Sequence, residues 1–367
     1  MRTIKLPFEV KRPILACGAD LKGAFALAKG SRAYLFDGFG DLADIDNFER
    51  YARAVKAAIK RLKISPKIIA CDLHPDYSSS RFAEVFLHNT QYAIHNTKMA
   101  VLCRIQHHEA HIAAAIVDNS IRGNVIGAAF DGTGYGSDGN MWGGEFFVGG
   151  LRSFKRAAHL EYMPMPGGET CIKQPWRMAA SFMYEAGLGK GIGNRAWPAL
   201  KEMMDKKINS PLTSSAGRLF DAVGSIVLRQ DRARFEAELP AGLERIASAG
   251  CYGSYDFSIK PDGAISVSEI FKGILKDLSK GMDKAEISAK FHNAVACMIV
   301  KVSLKLKEKS GVNKVVLAGG VFQNKFLTGR AITMLVKNGF DVYTSSGVPT
   351  HDGGIPVGQV AIANVRV

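Results

Sequence analysis

The chain has 367 residues, 47% apolar and 22% charged, an ordinary globular balance with enough length for two sizeable lobes. No uninterrupted apolar run is long enough to cross a bilayer, and the opening Met1-Arg2-Thr3-Ile4-Lys5-Leu6-Pro7 lacks the pattern of a secretory signal, so a membrane role and export are not expected. The net charge of +14 favours anionic partners, but Lys and Arg are spread along the chain without a nucleic-acid module; a solvated basic surface is expected and nucleic acid is not. The six cysteines include no Cys-x-x-Cys pair and lie mostly in apolar runs, which points to reduced thiols in a cytoplasmic protein.

In chain order, Ile14-Leu15-Ala16-Cys17 reads as a strand. Ala24 to Ala28 and Arg32 to Phe36 read as two more, joined by a Lys29-Gly30-Ser31 turn. Phe48, Ala52, Val55, Ala58 and Ile59 carry helical periodicity from 48 to 62, and Lys67 to Asp72 is a short buried strand. A helix over about 80–88 precedes a strand over Met99 to Cys103 and a helix starting near Gln106. A second lobe begins near Asn124, giving expected lobes of 1–123 and 124–367, with the last helix free to pack back on the first. Val125 to Phe130, Met141 to Val148 and Ala157 to Tyr162 are its opening strands. Residues 175–250 read as mainly helical, interrupted at Gly191-Ile192-Gly193 and at Pro240. One long helix over Ala285 to Lys309 precedes strand Lys314 to Ala318, helix 323–337, strand Phe340 to Tyr343 and a last helix from Ile355. Both halves run from hairpin-like strands into alternating helix and strand, a repeat of topology without a repeat of sequence.

The chemistry concentrates in a few stretches. Gln106-His107-His108-Glu109-Ala110-His111 opens a helix after a buried strand, so His107 and His111, four residues apart, share a face and can hold one divalent metal. Asp131 ends a buried strand and enters a glycine-rich turn, Gly132-Thr133-Gly134-Tyr135-Gly136, whose amides can approach phosphate. Gly319-Gly320, between a strand and a helix opened by Gln323 and Asn324, suits a second nucleotide turn. Asp352, in His351-Asp352-Gly353-Gly354, is either a cap of the last helix or a metal ligand opposite the histidines. Two His with carboxylates suit iron or zinc, with magnesium or manganese as alternatives. The glycine-rich turn after Asp131 leads into a hairpin and not a helix, so it is not the dinucleotide-binding fingerprint; no Lys closes a P-loop, and there is no Gly-x-Ser-x-Gly elbow.

Seven ordered blocks give the chain a family resemblance: Asp72-Leu73-His74-Pro75-Asp76-Tyr77, Gln106 to His111, Phe130 to Gly136, Trp142-Gly143-Gly144-Glu145, Pro175-Trp176-Arg177, Gly217 to Val223, and Gly319 to Asn324. Together they resemble the C-terminal, TsaD-like portion of the HypF carbamoyltransferases of [NiFe]-hydrogenase maturation. The resemblance implies an α/β ASKHA (actin-like) fold of two lobes with duplicated RNase H-like topology. It implies a metal on His107, His111, Asp131 and Asp352, and nucleotide contacts at Gly132, Gly134, Gly319, Gly320 and Asn324. It also implies carbamoyl transfer from carbamoyl adenylate, with ATP or AMP as the related nucleotides, to the C-terminal cysteine thiol of a HypE-type partner. A YrdC-like domain or subunit would supply the adenylate. Lys22 and Arg81 are candidate catalytic cations for the carbamoyl or phosphate end. Alternatives are TsaD-like tRNA threonylcarbamoyl transfer, small-molecule O-carbamoyl transfer, and a non-catalytic nucleotide-binding subunit. The acylphosphatase, zinc-finger and YrdC-like domains have no counterpart here, so an excised domain or a separate subunit is expected. The family's Asn-Asp-Gly-Gly is His351-Asp352-Gly353-Gly354, its Gly-Gly-Asp is Gly167-Gly168-Glu169, and its Glu-Gly-Gln is Glu236-Ala237-Glu238 in this chain.

Overall fold

The computed structural model describes residues 1–92, 100–189 and 195–367. The Gly191-Ile192-Gly193 interruption and the Met99 end of the fourth strand lie outside the described residues. The first half runs β1 (Arg2–Ala16), β2 (Phe25–Phe36), α1 (Ile45–Leu62), β3 (Ile68–Asp72), α2 (Ser78–Tyr92), β4 (Val101–Ile105) and α3 (His107–Asp118). Next come β5 (Val125–Tyr135), β6 (Met141–Gly150), β7 (Ser153–Leu160), β8 (Met163–Pro164), α4 (Thr170–Lys173), α5 (Trp176–Glu185) and α6 (Trp197–Asp205). Then follow β9 (Leu212–Thr213), α7 (Ala216–Leu228), α8 (Glu238–Ile246), β10 (Ser258–Ile259), β11 (Ala264–Ser266) and α9 (Ser268–Ser279). The chain closes with α10 (Lys284–Ser310), β12 (Lys314–Ala318), α11 (Lys325–Lys337), β13 (Asp341–Thr344) and α12 (Ile355–Arg366).

Two sheets result. The first has the order β2-β1-β3-β4, with β1 and β2 antiparallel and the other pairs parallel. The spine of the second is β7-β6-β5-β12-β13, an antiparallel meander continued by two parallel strands. This is the RNase H-like order, and the first sheet repeats it one strand short. The architecture is the two-lobed α/β one expected from the sequence.

Several details differ from the sequence reading: β1 begins at Arg2 and not at Ile14, and Pro240 does not interrupt the helical region but lies in the first turn of α8, where its missing N–H costs no helical bond. Lys29-Gly30-Ser31 is no hairpin turn: β2 runs unbroken through it, pairs along β1, and absorbs the glycine (φ +59°) opposite Val10 at a register shift. A local Gly signal cannot distinguish a bulge from a turn when the partner strand lies earlier in the chain. Likewise Asp131-Gly132-Thr133 is a bulge inside β5, between the Phe130 and Gly134 pairs with β6, and not the end of a strand.

The helix α3 is buried nearly all round. Ala110, Ala113, Ala114 and Val117 pack into the core of the first sheet, and Ile112, Ala115 and Ile116 into that of the second. A helix apolar on every face must be enclosed on every face, and here it is the partition between the two sheets. The last helix, α12, joins the first core through Ile355, Val357 and Val360 to Ala363. It lies so close to α3 that a Cβ on Gly358 would sit 1.9 Å from the Ala110 carbonyl oxygen. The helix α10 is long and apolar enough to cross a membrane by length and composition alone, but it runs through the second core on Phe291, Val295, Met298 and Val302.

Candidate active site

The strand β4 delivers the chain to Gln106, whose side-chain oxygen caps α3 by accepting from the amides of His108 (2.7 Å) and Glu109 (3.0 Å). That cap fixes where the helix starts, and so sets His107 and His111 on one face, ring centroids 4.9 Å apart. His107 donates through Nδ1 to Asp72 Oδ2 at 2.8 Å, at the end of β3, which leaves Nε2 pointing into the interlobe cleft. Its Nε2 lies 3.3 Å from Asp131 Oδ2, and His111 Nε2 lies 2.9 Å from the same oxygen. Asp352 Oδ1 stands 3.8 Å from His107 Nε2 and 3.5 Å from His111 Nε2. One donor atom from each of these four buried residues falls within 4.8 Å of the others.

Electrostatics describe what this cluster lacks. Burial alone would push His107 down, but the charges of Asp72 and Asp352 and the hydrogen bond it donates to Asp131 carry it well above the ordinary imidazole value. Burial would push Asp131 up, yet His111 and His107 hold it well below the ordinary carboxylate value. Carboxylates this deep demand positive charge, which the imidazoles provide by holding protons that a divalent cation would displace. The donor set, two imidazole nitrogens with a fixed tautomer on His107 and two carboxylates, fits such an ion.

A cavity of about 320 Å³ adjoins the cluster, with Asp131 and Asp352 in its wall together with Lys22, Gly132, Gly320 and Asn324. The amides of Gly132 (2.8 Å) and Gly320 (3.2 Å) both donate to Asp131 Oδ1, so here they orient the carboxylate. Asn324 accepts from Leu327 N as the cap of α11 and donates through Nδ2 to His292 Nε2 at 2.8 Å. Lys22, in the first lobe, reaches Glu236 in the second at 2.8 Å.

Three expected site residues sit elsewhere. Gly134 and Gly319 do not line the cavity: a Cβ on Gly134 would fall 2.4 Å from the His108 ring, and one on Gly319 would fall 2.3 Å from the Phe130 carbonyl oxygen. Both glycines serve close packing behind the site. Arg81 pairs with Asp76 at 2.7 Å on the surface, outside the cavity lining. Asp352 does not cap the last helix, because Gly354 holds that position; His351 caps the short 3-10 turn Asp352–Gly354 by accepting from Gly353 N at 3.1 Å.

Sequence reasoning gave no role to Asp72, which holds His107, to His292, which bonds Asn324, or to Glu244 and Arg218, which line the cavity. Asp72 lay in a motif already singled out, at the C-terminal edge of a buried strand, and that position was its signal. The Arg218–Asp221 pair is also buried, with Nη2 2.7 Å from Oδ2, and Arg218 lines the cavity.

The description "Carbamoyltransferase, Kae1-like Domain, second subdomain" fits residues 127–359, and "HypF Kae1-like domain" fits residues 9–118. The chain belongs to the HypF carbamoyltransferase family. It is similar to carbamoyltransferase HypF2 of Cupriavidus necator, 31% identical over 96% of this chain and 46% of that protein. A carbamoyltransferase HypF homolog of the same organism is also 31% identical, over 96% of this chain and 91% of its own length. The chain thus spans about half of the first relative and nearly all of the second. Among solved structures, full-length HypF in a phosphate- and nucleotide-bound form superposes with a TM-score of 0.91 and 36% identity, covering 99% of this chain and 57% of that one.

Proposed function

We propose that this HypF-family chain transfers a carbamoyl group from carbamoyl adenylate, held in the interlobe cavity, to the C-terminal cysteine thiol of a HypE-type partner. A YrdC-like domain or subunit supplies the adenylate, and the product feeds cyanide-ligand synthesis for [NiFe]-hydrogenase. The single observation that carries this reading is the convergence of His107, His111, Asp131 and Asp352 in one buried cluster whose two aspartates line a nucleotide-sized cavity. These four residues would hold a divalent ion, iron or zinc first and magnesium or manganese otherwise. Bound there, it would supply Lewis-acid charge for the phosphate of the leaving group.

The chain's own residues set the stage for that chemistry. Asp72 holds the His107 ring, and the Gly132 and Gly320 amides hold the Asp131 carboxylate. Lys22 and Glu236, both in the cavity wall, pair across it. The incoming thiolate sulfur forms a bond to the carbamoyl carbon as the carbon–oxygen bond to phosphate breaks, and AMP leaves with the electron pair. The nucleophile comes from outside: burial pushes the Cys71 and Cys171 thiols up to about 12, and no cysteine lines the cavity among the described residues.

The test supplies metal, synthetic carbamoyl adenylate and a HypE-type acceptor, and follows the acceptor's C-terminal peptide by mass. Intact protein is expected to add one carbamoyl group, and His107→Ala and Asp352→Ala to lose about two orders of magnitude or more in rate. Metal and nucleotide binding without any transfer would refute the reading and mark a non-catalytic nucleotide-binding subunit.

A further inference from the structure

The arginine at 218 is placed against ordinary helix electrostatics. It stands in the first turn of α7, three residues after the Ser215 cap, where the helix dipole disfavours a cation. It is also 5% exposed, so it has given up most of its hydration. Among the described residues its one anionic partner, Asp221, takes a single Nη2 contact at 2.7 Å, while Nε–H is buried and has no acceptor. Burial raises the Asp221 carboxyl above the ordinary value, Arg218 opposes that, and the nearby charge of Glu236 adds to it. A guanidinium with a buried unmet donor is expensive to keep unless an anion completes it.

Position says which anion. The Ser215 hydroxyl ties the start of α7 to the carbonyls of Asp131 (2.8 Å) and Gly132 (2.7 Å). Gly217 packs on that bulge so closely that a Cβ there would lie 2.7 Å from the Gly132 Cα, and Nη2 of Arg218 lies 3.8 Å from where a Gly132 Cβ would be. The guanidinium therefore borders the cavity at its metal-binding end, beside Asp131. We propose that Arg218 contacts the phosphate of the bound nucleotide and takes up charge there as AMP departs. The flat donor fork suits two oxygens of one phosphate, which a lysine would meet only as a point charge. This inference rests on the nucleotide reading above and adds a residue to it.

The test separates the two. Metal-loaded protein is titrated by calorimetry with AMP and with adenosine, which differ only in the phosphate. Wild type is expected to bind AMP more tightly. In Arg218→Gln the ratio of the two affinities is expected to fall by about tenfold to a hundredfold, with adenosine affinity unchanged. Should the single variant fail to fold, Arg218→Gln with Asp221→Asn, which leaves no buried carboxylate alone, is expected to show the same fall. An unchanged ratio in a folded variant would overturn the role of Arg218 and leave the nucleotide reading standing. Wild type binding neither ligand would overturn both.

Discussion

Replacing Gly358 by Ala tests how the two halves of the candidate metal cluster are held in register. The added Cβ would lie 1.9 Å from the carbonyl oxygen of Ala110, a backbone atom that cannot swing aside. An ordinary carbon–oxygen contact is about 3.3 Å, so α12 must retreat from α3 by roughly 1.4 Å. Overpacking of this kind costs up to about 3 kcal/mol, and removing a helical glycine returns about 1, for a net loss of about 2 kcal/mol. The displacement also reaches the cluster, because Ala110 adjoins His111 while Asp352 sits on the turn that feeds α12. Metal affinity is expected to fall about tenfold or more. The assay is urea unfolding together with chelator competition for the ion. Gly329→Ala is the control: it lies in α11 with nothing within 4 Å of a built Cβ, and should stabilise by about 0.5–1 kcal/mol. A Gly358→Ala protein of wild-type stability and metal affinity would refute the reasoning.

Two further outcomes follow from backbone strain and buried charge. Ala237 sits at φ +60° in the cavity wall, a left-handed conformation suited to the family's glycine, so Ala237→Gly should stabilise by about 0.5–1 kcal/mol in urea, part of the relief being offset by unfolded-chain freedom; a lower midpoint would contradict this. Burial pushes His292 down to about 4, against a smaller opposing effect from the Ser288 carbonyl. The unfolded chain therefore binds the proton first as pH falls below about 6.5, and stability declines toward pH 4. Between pH 7.5 and 5 the wild type should lose about 2 kcal/mol more than His292→Gln, a comparison that cancels the other titrating groups, and equal pH slopes would remove His292 as the cause.

Elements were legible where local pattern and tertiary need agree. The long α10, the parallel strands β12 and β13 and the His-bearing start of α3 could be read because periodicity, caps and burial coincide. The small strands β8 to β11 went unread, since two or three residues carry no period and are fixed only by their partners. Within the site, His107 and His111 announced themselves by residue type and helical spacing after a strand, and Asp131 by its place before a glycine-rich stretch. Gly134 and Gly319 were given nucleotide contacts because a glycine's sequence signal is the same whether a ligand or a neighbouring strand requires the missing Cβ. Arg218 lay inside the Gly217 to Val223 block but was given no role: its significance lies in its burial beside the Asp131 bulge, and that is a tertiary fact.

The completion of the first core by Val348 and by residues 355–363 has a consequence for synthesis on the ribosome. The strands of the first sheet leave the exit tunnel long before these residues do, and until then the part of its core that α12 covers stays open beside α3. Translation would thus carry this half without its α12 cover while the second sheet is made, open to chaperones and to aggregation. Asp352, decoded just before that helix, can join the histidines only then, so the candidate metal cluster is completed after both sheets have been synthesised.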